Sequence, residues 1–534
     1  MKVVDPAMDA WLGLLRKGIL AAAAKARKLA QRNPTFSNLI PLVPWGMRLL
    51  KESGLLAIPT DKDGGYALVE QTAMEGICKV ILESDIYEEV PLHTVDRQRQ
   101  ASTARKLAFS IAEFEGEECL KGALCRPMIP KTSSTVAKLK LTCKTHKPKG
   151  SVKFRPIHAS SEYMLAGLGA WLAKQCKSQM SNADFIIPDT KKFKDYMMKI
   201  RPKITHKFVK LDIAQFFLSG TLHDLVRDTT MGMTGPAKIL AKRVLEFLLW
   251  EQYVSCRWLP GRVFRTVRGT GMGLVHSGEV ADCAYFHRVE RGRMDNKSYL
   301  ARYKIDGYWR FKDDALLLVN DMDLAKQFIW DTMRLADYFV VECEAVSSTQ
   351  VKFLEVMVEK TYERFVIRPE YKPTNLGIPL DTSSAHPVHV HTSWPKAVLR
   401  RAMLLASTVH GAEAAREVLR QRFIQHFAPK PIIDIFERNK ENDEPKQSKK
   451  RKEEKPIWLS IGFHPVWHRA ITTAVGELTR DPRHSVLWKE AFGSEPPPLR
   501  ISWKKILPTS SSMIERIEKS IVKKTTKNMD GWMG

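Results

Sequence analysis

Two adjacent carboxylates, Asp313 and Asp314, sit between the apolar stretches Tyr308-Trp309-Arg310-Phe311 and Ala315-Leu316-Leu317-Leu318-Val319. A hydrophobic hairpin has no structural need for two acids at its tip. Like charges this close repel by ~1 kcal/mol in water and several-fold more once partly desolvated. A divalent metal would offset that repulsion; an exposed acidic turn is the plain alternative. A third acid, Asp212, closes the run Lys207-Phe208-Val209-Lys210-Leu211 about a hundred residues earlier. Carboxylates from two strands can hold two magnesium ions roughly 4 Å apart, which is the arrangement for in-line phosphoryl transfer. In that chemistry one ion activates a hydroxyl and the other stabilises the leaving pyrophosphate.

These acids need a frame. Short apolar runs bounded by turn residues read as buried strands, so 308–319 is a hairpin and 207–213 a strand ending in a carboxylate. Residues Arg268-Gly269-Thr270-Gly271-Met272-Gly273 form a glycine-rich loop entering a helix. No Gly-Lys-Ser/Thr ends it, so it is not a P-loop. Upstream, basic and apolar residues alternate from Lys138 to Lys144 and again from Val152 to Ile157, with Pro148 and Gly150 between, a basic hairpin that could hold a phosphate chain. A solvated edge that resists aggregation is its simpler explanation. Around these lie a strand–turn–strand unit at 55–69, helices over 70–128, 161–202, 236–257 and 322–340, and a strand pair at 350–358 and 364–367. His386, His389 and His391 lack a partner at ligand spacing, which argues against zinc.

The 534 residues carry 85 Lys and Arg against 59 Asp and Glu, a net charge of +26. Such a charge attracts polyanions and says little about fold. Its spread along the chain suits a long groove. No apolar run approaches the ~18 residues of a membrane span. Eight scattered cysteines without a C-x-x-C pair argue against a zinc knuckle and a disulfide framework. The polar, charged stretch at 438–456 reads as a disordered insertion. The N-terminal 1–54 reads as a basic helical extension.

The motifs in order resemble those of reverse transcriptases, and specifically the Penelope-like retroelement group. Lys210-Leu211-Asp212-Ile213-Ala214-Gln215-Phe216-Phe217 resembles the first palm motif. Gly271-Met272-Gly273 with Ser277 and Ala281-Asp282 resembles the group's AMG-x-x-x-S-x-x-x-A-D. Arg310-Phe311-Lys312-Asp313-Asp314 resembles its R-Y-x-D-D. Asp61-Lys62 with Gly64, Lys144, His146 and Lys147 with Arg155-Pro156-Ile157, Phe353-Leu354-Glu355 with Lys372-Pro373-Thr374, and Pro497-Pro498-Leu499 follow in the same order. The resemblance spans roughly 55–510.

It implies an α+β right-hand polymerase with fingers and an antiparallel-sheet palm at 55–395 and a helical thumb at 396–534. The implied activity is extension of a DNA primer on an RNA template with deoxynucleoside triphosphates and two magnesium ions, manganese being a substitute. It also implies roles. Asp212 and Asp313 are the main metal ligands, with Asp314 beside them. Lys144 and Arg155 meet the triphosphate, Gly273 and Ser277 line the template and nucleotide pocket, and Lys352 belongs to a fourth palm motif. Phe217 packs under the incoming sugar, where its ring excludes a 2′-hydroxyl. Phe311 replaces the usual Tyr, and His276 stands where Ser or Pro is usual. The chain to Gly534 leaves no room for a GIY-YIG endonuclease, so target-site nicking is not expected. DNA synthesis and the Lys449-Lys450-Arg451-Lys452 run point to the nucleus. An RNA-dependent RNA polymerase is the nearest rival, with Phe217 against it. A catalytically silent nucleic-acid-binding protein is the other, with the three aspartates against it.

Overall fold

Continuous apolar stretches become strands buried on both faces, and the acidic hairpin lies among them. The computed structural model describes residues 10, 13–14, 48–50, 52–61, 65–117, 135–144, 153–160, 163–370, 388–425, 428, 430–437, 457–462, 468–480, 482–492 and 499–504. The chain divides into two compact units. One comprises Ala57–Gly377 with Arg401–Arg416; the other comprises Met1–Leu56, Ile378–Arg400 and Glu417–Gly534.

Strands β1 (Leu55–Pro59) and β2 (Tyr66–Glu70) pair as expected. Helix α1 (Ala73–Leu82), strand β3 (Tyr87–Val90) and helix α2 (Arg97–Glu115) follow, the last capped by Asp96. The region 70–128 is therefore not wholly helical. β3 has only four residues, Tyr87 and Val90 buried around two exposed glutamates, too short to show a period. β4 (Val136–Lys144) and β5 (Lys153–Ala159) form the basic antiparallel pair that alternation predicts. Then come α3 (Ala166–Gln179), α4 (Thr190–Met197), β6 (Lys207–Ala214), a 3-10 turn at Phe216–Leu218, α5 (Leu222–Thr229) and α6 (Gly235–Trp250). The helix expected over 236–257 stops at Trp250, because Tyr253–Ser255 (β7) is taken up by pairing with β4 and with β8 (Val263–Thr266).

α7 (Ser277–Tyr285) runs into a π turn at Phe286–Glu290. After α8 (Lys297–Arg302) comes the predicted hairpin, β9 (Ile305–Phe311) and β10 (Asp314–Val319). The helix expected over 322–340 is α9 (Met322–Ala336). Asp337 at φ +55° ends it, and β11 (Val340–Ser347) occupies what sequence periodicity left open. β12 (Gln350–Phe353), β13 (Val356–Lys360) and β14 (Phe365–Pro369) form one antiparallel sheet. The second unit's elements are α10 (Val388–Leu405) and α11 (Val409–Gln425), both shared with the first, then α12 (Lys430–Glu437), β15 (Ile457–Gly462), α13 (His468–Arg480), α14 (Pro482–Phe492) and β16 (Leu499–Lys504). β15 and β16 pair in parallel, so the C-terminal stretch is not purely helical. Most of the basic helical extension expected at 1–54, the insertion at 438–456 and the Lys372-Pro373-Thr374 motif lie outside the described residues.

The sheet that matters for the site has the order β11-β6-β10-β9, all antiparallel. β10 shows how it is held. Ala315, Leu317 and Val319 face a core with Leu211, Phe328 and Val280, while Leu316 and Leu318 face Phe208, Phe353 and Phe365. Successive side chains alternate between the two layers, so every residue after Asp314 is apolar. A third sheet, β3-β8-β7-β4-β5, carries the basic pair. No helix among the described residues is long and apolar enough to cross a membrane.

Candidate active site

β6 and β10 pair so that Asp314 lies directly opposite Asp212. Paired residues of adjacent strands point to the same face. The two-residue turn Lys312-Asp313 closes the hairpin with Lys312 at φ +56°, and the carbonyl of Asp313 accepts a 2.9 Å hydrogen bond from Ile213 N. The turn is thus pinned to the strand that carries Asp212. Of the three aspartates singled out from sequence, Asp212 and Asp314 bring their carboxylates together here, and Asp313 stands beside them on the turn, where its charge acts on Asp212.

A fourth acid was not anticipated. Glu344 comes from β11, where the register shifts between Cys343 and Ala345. A bulge of this kind re-aims a side chain. Oxygens of Asp212, Asp314 and Glu344 all lie within 4.8 Å of one another. An all-oxygen, carboxylate-rich set is what hard divalent cations take. The one sequence signal is the acid pair Glu342 and Glu344 in an otherwise apolar 340–346.

The electrostatics agree with an anionic site that Lys210 offsets only in part. Asp212 is half-buried, and its carboxyl is pushed up to about 6, first by burial and then by the charges of Asp313, Asp314 and Glu344. Lys210, two residues before Asp212 on the same face, reaches Glu344 at 2.5 Å and Asp314 at 3.3 Å. Burial works to lower its affinity for the proton; the bond to Glu344 and the two acidic charges outweigh burial and hold it above the ordinary lysine range.

A buried network stiffens the support. Arg310 is fully buried. Its Nε and Nη2 donate to Glu290 at 2.7 and 2.9 Å, and its Nη1 donates to Asp282 at 2.7 Å and to the carbonyl of Lys312 at 2.9 Å. Lys312 Nζ meets the other oxygen of Asp282 at 2.5 Å. Tyr308 donates to Glu290 at 2.7 Å. Three sequence features, Ala281-Asp282, Arg310 and the acidic turn, are therefore one unit.

The glycine-rich loop is shaped by close approach. Gly273 has φ +103°, and a Cβ there would stand 2.8 Å from the carbonyl of His158. His158 N in turn donates to Met272 O at 2.7 Å, so the loop lies on β5. Ser277 is buried and its hydroxyl donates to Gly271 O at 2.5 Å, which fixes the loop as it enters α7. Phe217 is half-buried in the 3-10 turn, and its carbonyl accepts from the amide and hydroxyl of Thr270 at 2.7 and 3.1 Å. His276 is buried without a partner for Nε2, and burial lowers it to about 4, so it packs as a neutral ring beside Gly169.

The remaining predicted residues lie on other sheets. Arg155 sits opposite Thr142 in the basic pair, one pleat from Lys144 on the same face. Arg155 donates to Asp61 at 2.8 Å, and Thr142 reaches the same oxygen at 3.4 Å. Lys352, on β12, lies 3.9 Å from Glu370.

No protein-family model matches the chain, and no curated protein matches it. Solved structures do. Telomerase from Candida albicans, in complex with a TWJ fragment of telomeric RNA, aligns over 89% of this chain and 74% of its own at 10% identity, with a TM-score of 0.46. Apo telomerase from Candida tropicalis aligns over 71% and 66% at 9% identity, TM-score 0.44. The RNA-dependent RNA polymerase of a human picobirnavirus aligns over 77% and 84% at 11% identity, TM-score 0.42. The fold is α+β, with an antiparallel sheet of order β11-β6-β10-β9 carrying the site.

Proposed function

We propose that the protein is a reverse transcriptase of the Penelope-like kind, extending a DNA 3′ end on an RNA template. The observation that carries this reading is the convergence of Asp212, Asp313 and Asp314 at the join of β6 with the β9–β10 hairpin, backed by the ordered motifs around it. Asp212, Asp313 and Asp314 would hold magnesium, or manganese in its place. When bound, the metal would lower the cost of ionising the primer 3′-hydroxyl and of charge on the leaving pyrophosphate.

The chain's own residues set up the rest. Lys210 and Arg310 hold the acids in place through Asp314, Glu344 and the Lys312 carbonyl. Lys144 and Arg155 share a face that can meet a triphosphate, Arg155 first leaving Asp61. Gly273 and Ser277 shape the loop beside the template and nucleotide, Phe217 excludes a 2′-hydroxyl, and Lys352 belongs to the fourth palm motif. Residues 55–395 serve as fingers and palm and 396–534 as thumb. The net charge of +26 suits a nucleic-acid groove, and work on DNA places the protein in the nucleus.

The deciding experiment is primer extension on poly-rA with an oligo-dT primer, comparing deoxy- and ribonucleotides. Deoxynucleotide incorporation with magnesium is expected. Preferential ribonucleotide use would instead indicate an RNA polymerase. No extension, with template bound equally by wild type and Asp313→Asn, would leave a binding protein.

A further inference from the structure

Lys210 occupies the position among the acids that a cation needs. Its side chain is 16% exposed, and its two carboxylate partners are unequal, Glu344 at 2.5 Å and Asp314 at 3.3 Å. A largely buried ammonium is stable only while paired. Lys210 meets one oxygen of Asp314, so a divalent ion on the same carboxylate would meet the repulsion of the ammonium beside it. Glu344 differs from Asp314 in two ways. It is half exposed, and it stands on the β11 bulge as the residue left between the pairs Cys343–Leu211 and Ala345–Lys210. The bulge therefore delivers a carboxylate to Lys210 that the regular ladder would not.

We infer that Lys210 is the counter-ion of the metal-free site and that Glu344 is the berth holding it aside when metal enters. Metal takes Asp314 from Lys210, and the ammonium stays on Glu344. Lys210 is then a competitor of the metal, and Glu344 acts on metal binding through Lys210, as a positioning residue and not a ligand. This rests on the polymerase reading only in taking Asp212 and Asp314 for a metal centre. The alternative, Glu344 as a third ligand, has the same 4.8 Å cluster in its favour, and a double-mutant cycle separates the two.

The test uses the full chain with manganese alone, reading free Mn2+ by electron paramagnetic resonance, without nucleotide or nucleic acid. Removing one unit charge next to the site, Lys210→Met should tighten Mn2+ binding about tenfold, whereas Lys210→Arg should stay near wild type. Glu344→Gln leaves the ammonium to Asp314 and should weaken binding about tenfold. In the Lys210→Met background the same Glu344→Gln change removes only the Glu344 charge, with no ammonium left to be berthed, so its loss should be clearly smaller than in the wild-type background. Equal or weaker binding by Lys210→Met overturns the inference. So does an equal loss from Glu344→Gln in both backgrounds, the signature of a direct ligand. Wild type that takes up no Mn2+ removes the metal centre, and with it both this inference and the polymerase reading; the first two results remove this inference alone. If Lys210→Met does not fold, Lys210→Gln carries the same test.

Discussion

Asp314 faces Asp212 across the β6–β10 ladder, residue to residue. The pairing forces two carboxylates onto one face of a sheet whose strands are otherwise packed with apolar side chains. Neither acid can move away without breaking a ladder that also buries Leu317 and Leu211. The repulsion is therefore built into the register, and in the metal-free site Lys210 offsets it in part.

One consequence is a pH dependence. The Asp212 carboxyl is raised from 3.8 to about 6, burial being the first cause and neighbouring acids the next. Protons and metal compete for it, so Mn2+ affinity should fall as pH drops below about 6. In the metal-free protein the sign reverses. A carboxyl raised on folding contributes stability present below its unfolded value of about 3.8 and lost as pH rises through about 6. Asp212→Asn should then raise the melting temperature of metal-free protein at pH 7 by about 2 °C or more and flatten its change between pH 4 and 7. Calorimetric titration and thermal unfolding across that range check both halves; unchanged Mn2+ affinity between pH 5 and 7 would refute the first.

The carboxylates should not be equivalent in catalysis. Asp212→Asn and Asp313→Asn should each reduce primer extension to less than about a thousandth, since removing a ligand takes away charge stabilisation at the reacting phosphate. Asp314→Asn should weaken extension no more severely, Asp314 being the accompanying carboxylate beside the two main ligands. Single-turnover extension rates with magnesium measure the ranking, and intact activity in Asp313→Asn would remove Asp313 from the metal centre.

Arg310 should matter for stability first. It is fully buried between Glu290 and Asp282, and losing it leaves two carboxylates without their partner. Breaking a buried pair from one side costs about 3–5 kcal/mol. Arg310→Met is expected to yield little soluble protein. Arg310→Lys cannot reproduce the fork to Glu290 and should shift urea midpoints downward. A midpoint equal to wild type in Arg310→Lys would show the network to be dispensable.

The hairpin was legible in the sequence because its parts are local: two apolar runs, two acids, one short turn. The basic pair β4–β5 was legible for the same reason, its alternation matching the observed register. Glu344 was not, since its place in the site depends on a bulge and on β11 lying beside β6, a strand more than a hundred residues earlier. β3 escaped too, because Tyr-Glu-Glu-Val becomes a strand only where Val263–Thr266 offers an edge to pair with. The parallel strands β15 and β16, separated by two helices, carry no local sign of each other. Ser277 could be picked out by motif, but its inward bond to Gly271 O could not.

Phe217 gives the sharpest test of which nucleotide is used. Its backbone turns out of β6 through Gln215, a non-glycine residue at φ +51°, and is clamped by Thr270. The ring stacks edge-on against Phe216, and a Cβ on Gly278 would come within 3.8 Å of its Cε1. The side chain is thus held between the 3-10 turn and the start of α7, with little freedom to swing away. If it lies under the sugar, Phe217→Ala should lower the preference for deoxy- over ribonucleotides about tenfold to a hundredfold, in line with the discrimination that one steric group supplies. Phe217→Tyr should retain the preference. Because the ring is only half-buried, truncation should cost less stability than the 3–5 kcal/mol of a full core deletion, and the folded variant can be assayed. Competition between dTTP and UTP in one extension reaction gives the ratio directly. An unchanged ratio in a folded Phe217→Ala protein would assign the ring to core packing and remove the steric case against ribonucleotides.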